Sequence, residues 1–133
     1  AVWTGVVRAA LLAGEAGDIA LPAFQKADLG FAPTPGSTSV SDGFIDVTGS
    51  GVGTQERLLD GFRYGYRQLT GNGQVTVRLT QQVDTHTNPL AGVMIRELLT
   101  PESRYAMVYS TPGAETGFMY RGMVSSNPVI TSV

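Results

Sequence analysis

Five short strand-like runs follow one another between residues 61 and 121: Gly-Phe-Arg-Tyr-Gly-Tyr-Arg, Gly-Asn-Gly-Gln-Val-Thr-Val-Arg-Leu-Thr, Ala-Gly-Val-Met-Ile-Arg-Glu, Ser-Arg-Tyr-Ala-Met-Val-Tyr and Gly-Phe-Met-Tyr-Arg. Successive side chains of a strand point to opposite faces. Residues 74–80 therefore place Val75, Val77 and Leu79 on one face and Gln74, Thr76, Arg78 and Thr80 on the other. One face belongs to a core and the other to water. Segments of this kind, separated by turn-forming residues at a spacing of roughly 8 to 15 residues, fold as an all-β sandwich or barrel. The wet face, with its arginines and tyrosines, is where a function has to sit.

Size and composition narrow the classes further. A chain of 133 residues is one domain, residues 1–133, and is long enough to bury about two-thirds of its unfolded surface. Charged residues make up 15%, well below the ~25% of an average soluble protein, and the 17 glycines are nearly double the usual ~7% share. Such a chain is turn-rich and weakly charged. A net charge of -2 argues against nucleic acid as a partner, because a phosphate-binding surface carries a basic excess. With no cysteine, disulfides, thiolate zinc sites and cysteine nucleophiles are excluded. No apolar run reaches the ~20 residues of a membrane-spanning helix, and the run over residues 6–13 is interrupted by Arg8. The opening Ala1 fits a processed or excised piece of a longer protein.

The N-terminal segment, residues 1–26, is the least readable. Its apolar run could be two short strands or a helical turn and a half, with strand the preferred reading. Trp3, the one tryptophan, reads as a core anchor. Ile19 and Leu21 alternate and Pro22 marks an edge strand. Asp42-Gly43 signals a hairpin of residues 37–41 against 44–48, with Phe44, Asp46 and Thr48 opposite Ile45 and Val47. Gly49, Gly51 and Gly53 then break the strand. No helix with an apolar stripe and no Walker lysine follows them, so they read as a flexible connection and not as a nucleotide loop. Gly71-Asn72-Gly73 predicts a second hairpin, pairing the strand within residues 58–69 with that of residues 74–83.

Several segments together resemble one family. They are Pro-Gly-Ser-Thr-Ser at 35–39, Gly-Phe-Ile-Asp-Val-Thr-Gly-Ser-Gly at 43–51, Phe62-Arg63-Tyr64, residues 71–80, Ala-Gly-Val-Met-Ile-Arg-Glu at 91–97, Ser-Arg-Tyr-Ala at 103–106 and Phe-Met-Tyr-Arg at 118–121. Over residues 27–121 they resemble the regulation-of-enolase-type domain of unknown function, a family among the concanavalin-A-like lectin and glucanase sandwiches. The resemblance implies an antiparallel jelly-roll β-sandwich. It further implies an accessory domain of a large secreted bacterial protein, extracellular or at the cell surface, with a carbohydrate-binding role. Two departures stand out. The family's tryptophan is missing from residues 57–60, which read Arg-Leu-Leu-Asp, and the family's later strands have no counterpart before Val133.

The chemistry favours binding over catalysis. Glycoside cleavage needs two closely spaced carboxylates on one face. Glu97 and Glu102 straddle a turn, Glu115 lies in a loop and Asp42 and Asp46 flank a hairpin, so each reads as a solvated charge. His86, the one histidine, has Asp84 two residues away and reads as a loop residue. No dense acidic loop offers a calcium site, and neither metal nor cofactor is expected. Sugars present apolar ring faces and hydroxyls, which aromatic rings and forked guanidinium donors match. Arg78, Arg96 and Arg104, on three successive strands, with Tyr64 and Tyr105 beside them, are the candidate carbohydrate-binding set. Against this stands the plainer reading, in which Tyr105, Met107 and Tyr109 face the core and Arg96 pairs with a carboxylate. Two functions are carried forward: a non-catalytic, lectin-like module for a glycan or polysaccharide, and an assembly domain pairing with another copy or with domains of its parent chain through exposed sheet edges.

Overall fold

The computed structural model describes residues 3–12, 25–54, 58–68, 70–72, 74–84 and 89–132. Ten strands run in chain order, with no helix among the described residues: β1 (Trp3–Leu12), β2 (Gln25–Leu29), β3 (Ser37–Ser41), β4 (Phe44–Gly51), β5 (Phe62–Tyr66), β6 (Thr76–Asp84), β7 (Ala91–Arg96), β8 (Tyr105–Ser110), β9 (Thr116–Arg121) and β10 (Val129–Ser132). A first sheet has the order β3-β4-β1-β6, a second the order β10-β9-β8-β7, and β2 with β5 forms a two-stranded ribbon. Every strand pairing is antiparallel.

The least readable segment is thus central. β1 lies between β4 and β6, pairing Val7 with Val47 on one side and Leu11 with Val77 on the other. Its side chains, Trp3 included, fall outside the described residues, as do His86 and the Ile19, Leu21 and Pro22 segment. The expected Asp42-Gly43 hairpin is present. Asp42 and Gly43 take φ of 51° and 79°, the left-handed pair of a tight turn whose twist matches its strands, and Ser41 faces Phe44 across it.

Two expectations are corrected. Gly49 and Gly51 do not break the strand: β4 continues to Gly51 because β1 pairs with it as far as Trp3↔Gly51. Gly53 then forms a bridge with Gly61, in which each amide donates to the other's carbonyl, at 2.8 and 2.9 Å. At Gly51 the φ of 151° and the nearness of the Gly61 carbonyl leave no room for a β-carbon. The glycines hold the backbones of two sheet segments together. Nor do β5 and β6 form a hairpin. β5 pairs with β2, Tyr64 opposite Ala27, while β6 takes the ten-residue β1 as its partner over nearly its whole length. Five-residue β5 could not have offered that.

The alternation of β6 is as expected up to a bulge. Val75, Val77 and Leu79 are half-buried while Gln74, Thr76, Arg78 and Thr80 are exposed. The register then slips between Arg8↔Gln81 and Ala9↔Leu79, leaving Thr80 as the extra residue. The bulge reverses the phase: Gln82 turns inward and Val83 becomes 49% exposed.

The second sheet buries Tyr105, Tyr109 and Met119, with Leu90, Met94, Met107 and Ile130 packed against them. In β9 exposure alternates strictly, with Gly117, Met119 and Arg121 inside and Thr116, Phe118 and Tyr120 outside. The polarity of this sheet is therefore the reverse of a wet arginine face. Its arginines and core tyrosines point inward, and its apolar Val108 and Phe118 point out.

Candidate functional site

An open cleft of about 1130 Å³ lies among β4, β5, β6 and β7. Its apolar walls are Ile45 and Val47 of β4, Val77 and Leu79 of β6, and Met94 and Met107 of the second sheet. Along it runs β5. The period of two puts Phe62, Tyr64 and Tyr66 on one face of that strand and Arg63 on the other. The three rings form a continuous row: Phe62 meets Tyr64 edge-on at 5.8 Å, and Tyr64 stacks on Tyr66 at 5.4 Å with 15° between planes. All three are half-buried. The Tyr64 hydroxyl donates to the Met94 carbonyl at 2.9 Å, fixing the middle ring against β7. Burial pushes its phenol above the ordinary value, with the Arg96 charge pulling down and Tyr66 pushing up. At one end the cleft meets water through the exposed Arg67, Gln68, Thr70 and Gln74.

Arg63 stabilises the row from behind. Its Nη1 lies 3.3 Å from Asp28 Oδ2 and its Nε donates to Thr38 Oγ1 at 3.0 Å, tying the ribbon to β3. Gln82, turned inward by the bulge, donates through Nε2 to the carbonyls of Pro89, at 3.2 Å, and Ser110, at 3.5 Å.

Beneath the Phe62 end of the row lies a buried ionic knot. Asp60 accepts from Arg121 Nη1 at 2.9 Å on Oδ2 and from Nη2 at 2.6 Å on Oδ1, a bidentate fork, and from Arg96 Nη1 at 3.0 Å. The side chains are 0% exposed for Asp60 and Arg121 and 2% for Arg96, so the cluster is sealed from water, and among the described residues Asp60 is the anion that both arginines share. Backbone carbonyls of described residues supply further acceptors. Arg96 donates to Leu98 and Thr100 at 2.7 Å each, and Arg121 donates to Pro101 and Ser103 at 3.1 Å and to Ser126 at 2.8 Å. Ring faces complete the enclosure, with Arg96 5.5 Å from the Phe62 centroid and Arg121 5.1 Å from that of Tyr105. Burial pushes the Asp60 carboxyl up, opposed by hydrogen bonds and charge from Arg121 and Arg96. The knot fastens the segment leading into β5 to the loops that follow β7 and β9.

The five residues expected to bind sugar are not gathered on one face. Arg78 is exposed on β6 of the first sheet, whereas Arg96 ends β7 in the second, so the expected row of three arginines across adjacent strands does not form. Arg96 is committed to Asp60. Tyr105, 5% exposed, lies in the core with its hydroxyl 3.4 Å from Met119 Sδ, and burial raises its phenol. Arg104 precedes β8 on the surface and forms a two-point pair with Glu97, at 2.7 and 2.6 Å, which lowers the Glu97 carboxyl chiefly through that hydrogen bond. Only Tyr64 lies along the cleft's aromatic row. Phe62 and Tyr66 belong with it, and their i, i+2, i+4 spacing with Tyr64 is the sequence signal that groups the three on one strand face. Asp60 carries no such signal, since its partners lie 36 and 61 positions away.

Glu97 borders the cleft, and its carboxylate is held by Arg104. Among the described residues no group of three or more His, Cys, Asp or Glu is placed to hold a metal ion, and no helix is long and apolar enough to cross a membrane. Comparison with family models, with curated proteins and with solved structures returned no match.

Proposed function

We propose that this chain is a non-catalytic, lectin-like carbohydrate-binding module, and that a glycan lies along β5 with its ring faces on Tyr64 and Tyr66. The observation that carries this reading is the continuous row of three aromatic rings in a cleft with an exposed polar end. Stacked rings present flat, weakly hydrated surface to the apolar face of a pyranose, while Gln68 and Gln74 supply donors at the mouth. The reading includes a concanavalin-A-like jelly-roll arrangement of the two sheets. It also makes the chain an accessory module of a larger secreted bacterial protein, working outside the cell or at its surface. A glycan array followed by calorimetric titration tests it. Tyr66→Ala should weaken binding roughly three- to tenfold, the worth of one aromatic contact. An array on which no glycan is retained by the folded chain refutes it.

A second reading is an assembly domain that adds strands at open sheet edges, supported by the positions of β3 and β10 as outermost strands of the described sheets. Light scattering distinguishes the two, since edge pairing raises the mass without sugar.

A further inference from the structure

The outward face of the second sheet has a composition that neither reading uses. In an antiparallel pair, residues directly opposite one another share a face. One row across the sheet therefore runs Ile95, Ala106, Tyr120, Val129 and the next runs Val93, Val108, Phe118, Thr131. Ser110 and Thr116 continue the face, Ala91 at its β7 end being buried at 5% exposure, and none of these residues is charged. Its large apolar members stand in water: Ile95 is 55% exposed, Val108 58%, Val129 49%, Tyr120 40% and Phe118 38%. Phe118 and Tyr120 lie 5.9 Å apart, so the aromatic surface is continuous.

We propose that this face is a two-fold interface on which a second copy of the chain packs, sheet against sheet. Area and charge both favour this occupant. At those exposures the five large side chains present roughly 500 Å² per copy, near the upper end for a monomer's largest apolar patch. Fully covered, two such faces together bury about 1,000 Å² before their Val93, Thr116 and Thr131 margins are counted, the threshold that a specific interface has to clear. The charged pair at its border, Glu97 with Arg104, is already satisfied internally, so a partner with a charged surface would lose its hydration here without gaining a free counter-charge. A second copy brings the same apolar face, and a two-fold axis sets that patch of one copy against the same patch of the other. Aligned packing at about 10 Å between sheets is the geometry such faces adopt in the interiors of sandwiches. The face meets the cleft at Val93 and Ile95 of β7, and the interface is a face contact, distinct from pairing at β3 or β10.

Sedimentation equilibrium of the full chain decides the matter, with Val108→Lys and Tyr120→Lys as face variants and Arg78→Glu as a control on the other sheet. The expected result is a wild type and control of twice the 14.0-kDa chain mass and face variants at the single mass. A wild type that remains at the single mass at roughly 100 μM, far above the dissociation constant of an ordinary dimer, overturns the proposal. So does a dimer that both lysine variants retain. If the variants do not fold, hydroxyl-radical labelling of the wild type replaces them. Phe118 and Tyr120 must then become protected as concentration rises, and labelling independent of concentration overturns the interface.

Discussion

Asp60→Ala is the most demanding test of the buried knot. The substitution removes the anion that accepts three guanidinium hydrogen bonds of 2.6 to 3.0 Å and leaves Arg96 and Arg121 sealed at 2% and 0% side-chain exposure. Carbonyl oxygens remain around both arginines, but dipoles do not replace a full charge in so dry a place. Stranding one member of a buried pair costs ~3–5 kcal/mol, and Asp60 is shared by two buried arginines, which puts this case at the upper end. Domains are stable by only about 5–15 kcal/mol, so a third or more of the total is at stake. With a urea slope of ~2 kcal/mol/M the unfolding midpoint should fall by about 2 M. Asp60→Asn keeps the size and one acceptor and should cost less. Adding Arg121→Met to Asp60→Ala should recover part of the loss, giving a coupling energy above about 1 kcal/mol in the double-mutant cycle. Equilibrium urea unfolding followed by circular dichroism measures these three and Arg121→Met alone, which closes the cycle. A loss under about 1 kcal/mol for Asp60→Ala, with the slope unchanged, would falsify the claim that these charges are sealed and interdependent.

Other outcomes follow from the same geometry. Far-ultraviolet circular dichroism should show a β-dominated spectrum, and helix above about one-third would contradict the fold. Glu97 should titrate below 4.5 in a carbon-detected pH series and move back towards it in Arg104→Ala. Its folded pKa is depressed, so whatever stability the pair contributes is present above pH 4.5 and lost as pH falls through the folded value, and a Glu97 unmoved by Arg104→Ala would refute the pairing. Tyr64 and Tyr105 are raised above 10.0 chiefly by burial, so their contribution to stability is present below pH 10 and is lost as pH rises through their folded values. Alkaline titration by ultraviolet absorbance should show a late-ionising class among the five tyrosines, and a single unshifted transition would contradict it. Tyr64→Phe should leave the row intact while freeing the Met94 carbonyl, at a cost of about 1 kcal/mol in thermal unfolding.

The alternation of residues 74–80 is legible in the amino-acid sequence, as are the Asp42-Gly43 turn and strands at residues 91–97 and 104–110, because period two and turn chemistry are local properties. Strand partnership is not. Gly71-Asn72-Gly73 has the composition of a hairpin, yet β6 pairs with β1, some seventy positions away, a ten-residue strand that it can follow where the five-residue β5 cannot. Of the candidate site, Tyr64 does lie along an aromatic strand face, as its alternation with Arg63 and Gly65 implies. Arg96 and Tyr105 do not lie on a wet face, because the second sheet turns them inward.

That inversion marks the boundary between the two sources of information. Alternation along β7, β8 and β9 separates Arg96, Tyr105 and Arg121 from Ile95, Val108 and Phe118, and the sequence alone determines which residues share a side. Which side becomes the interior depends on whether a buried arginine finds an anion. Asp60 provides it from the segment before β5, 36 positions before Arg96 and 61 before Arg121, and loop carbonyls accept further donors. A guanidinium without those partners belongs in water, and with them it can close a core. Only the tertiary structure brings them together, so only the tertiary structure decided that the arginines go in and the apolar face goes out.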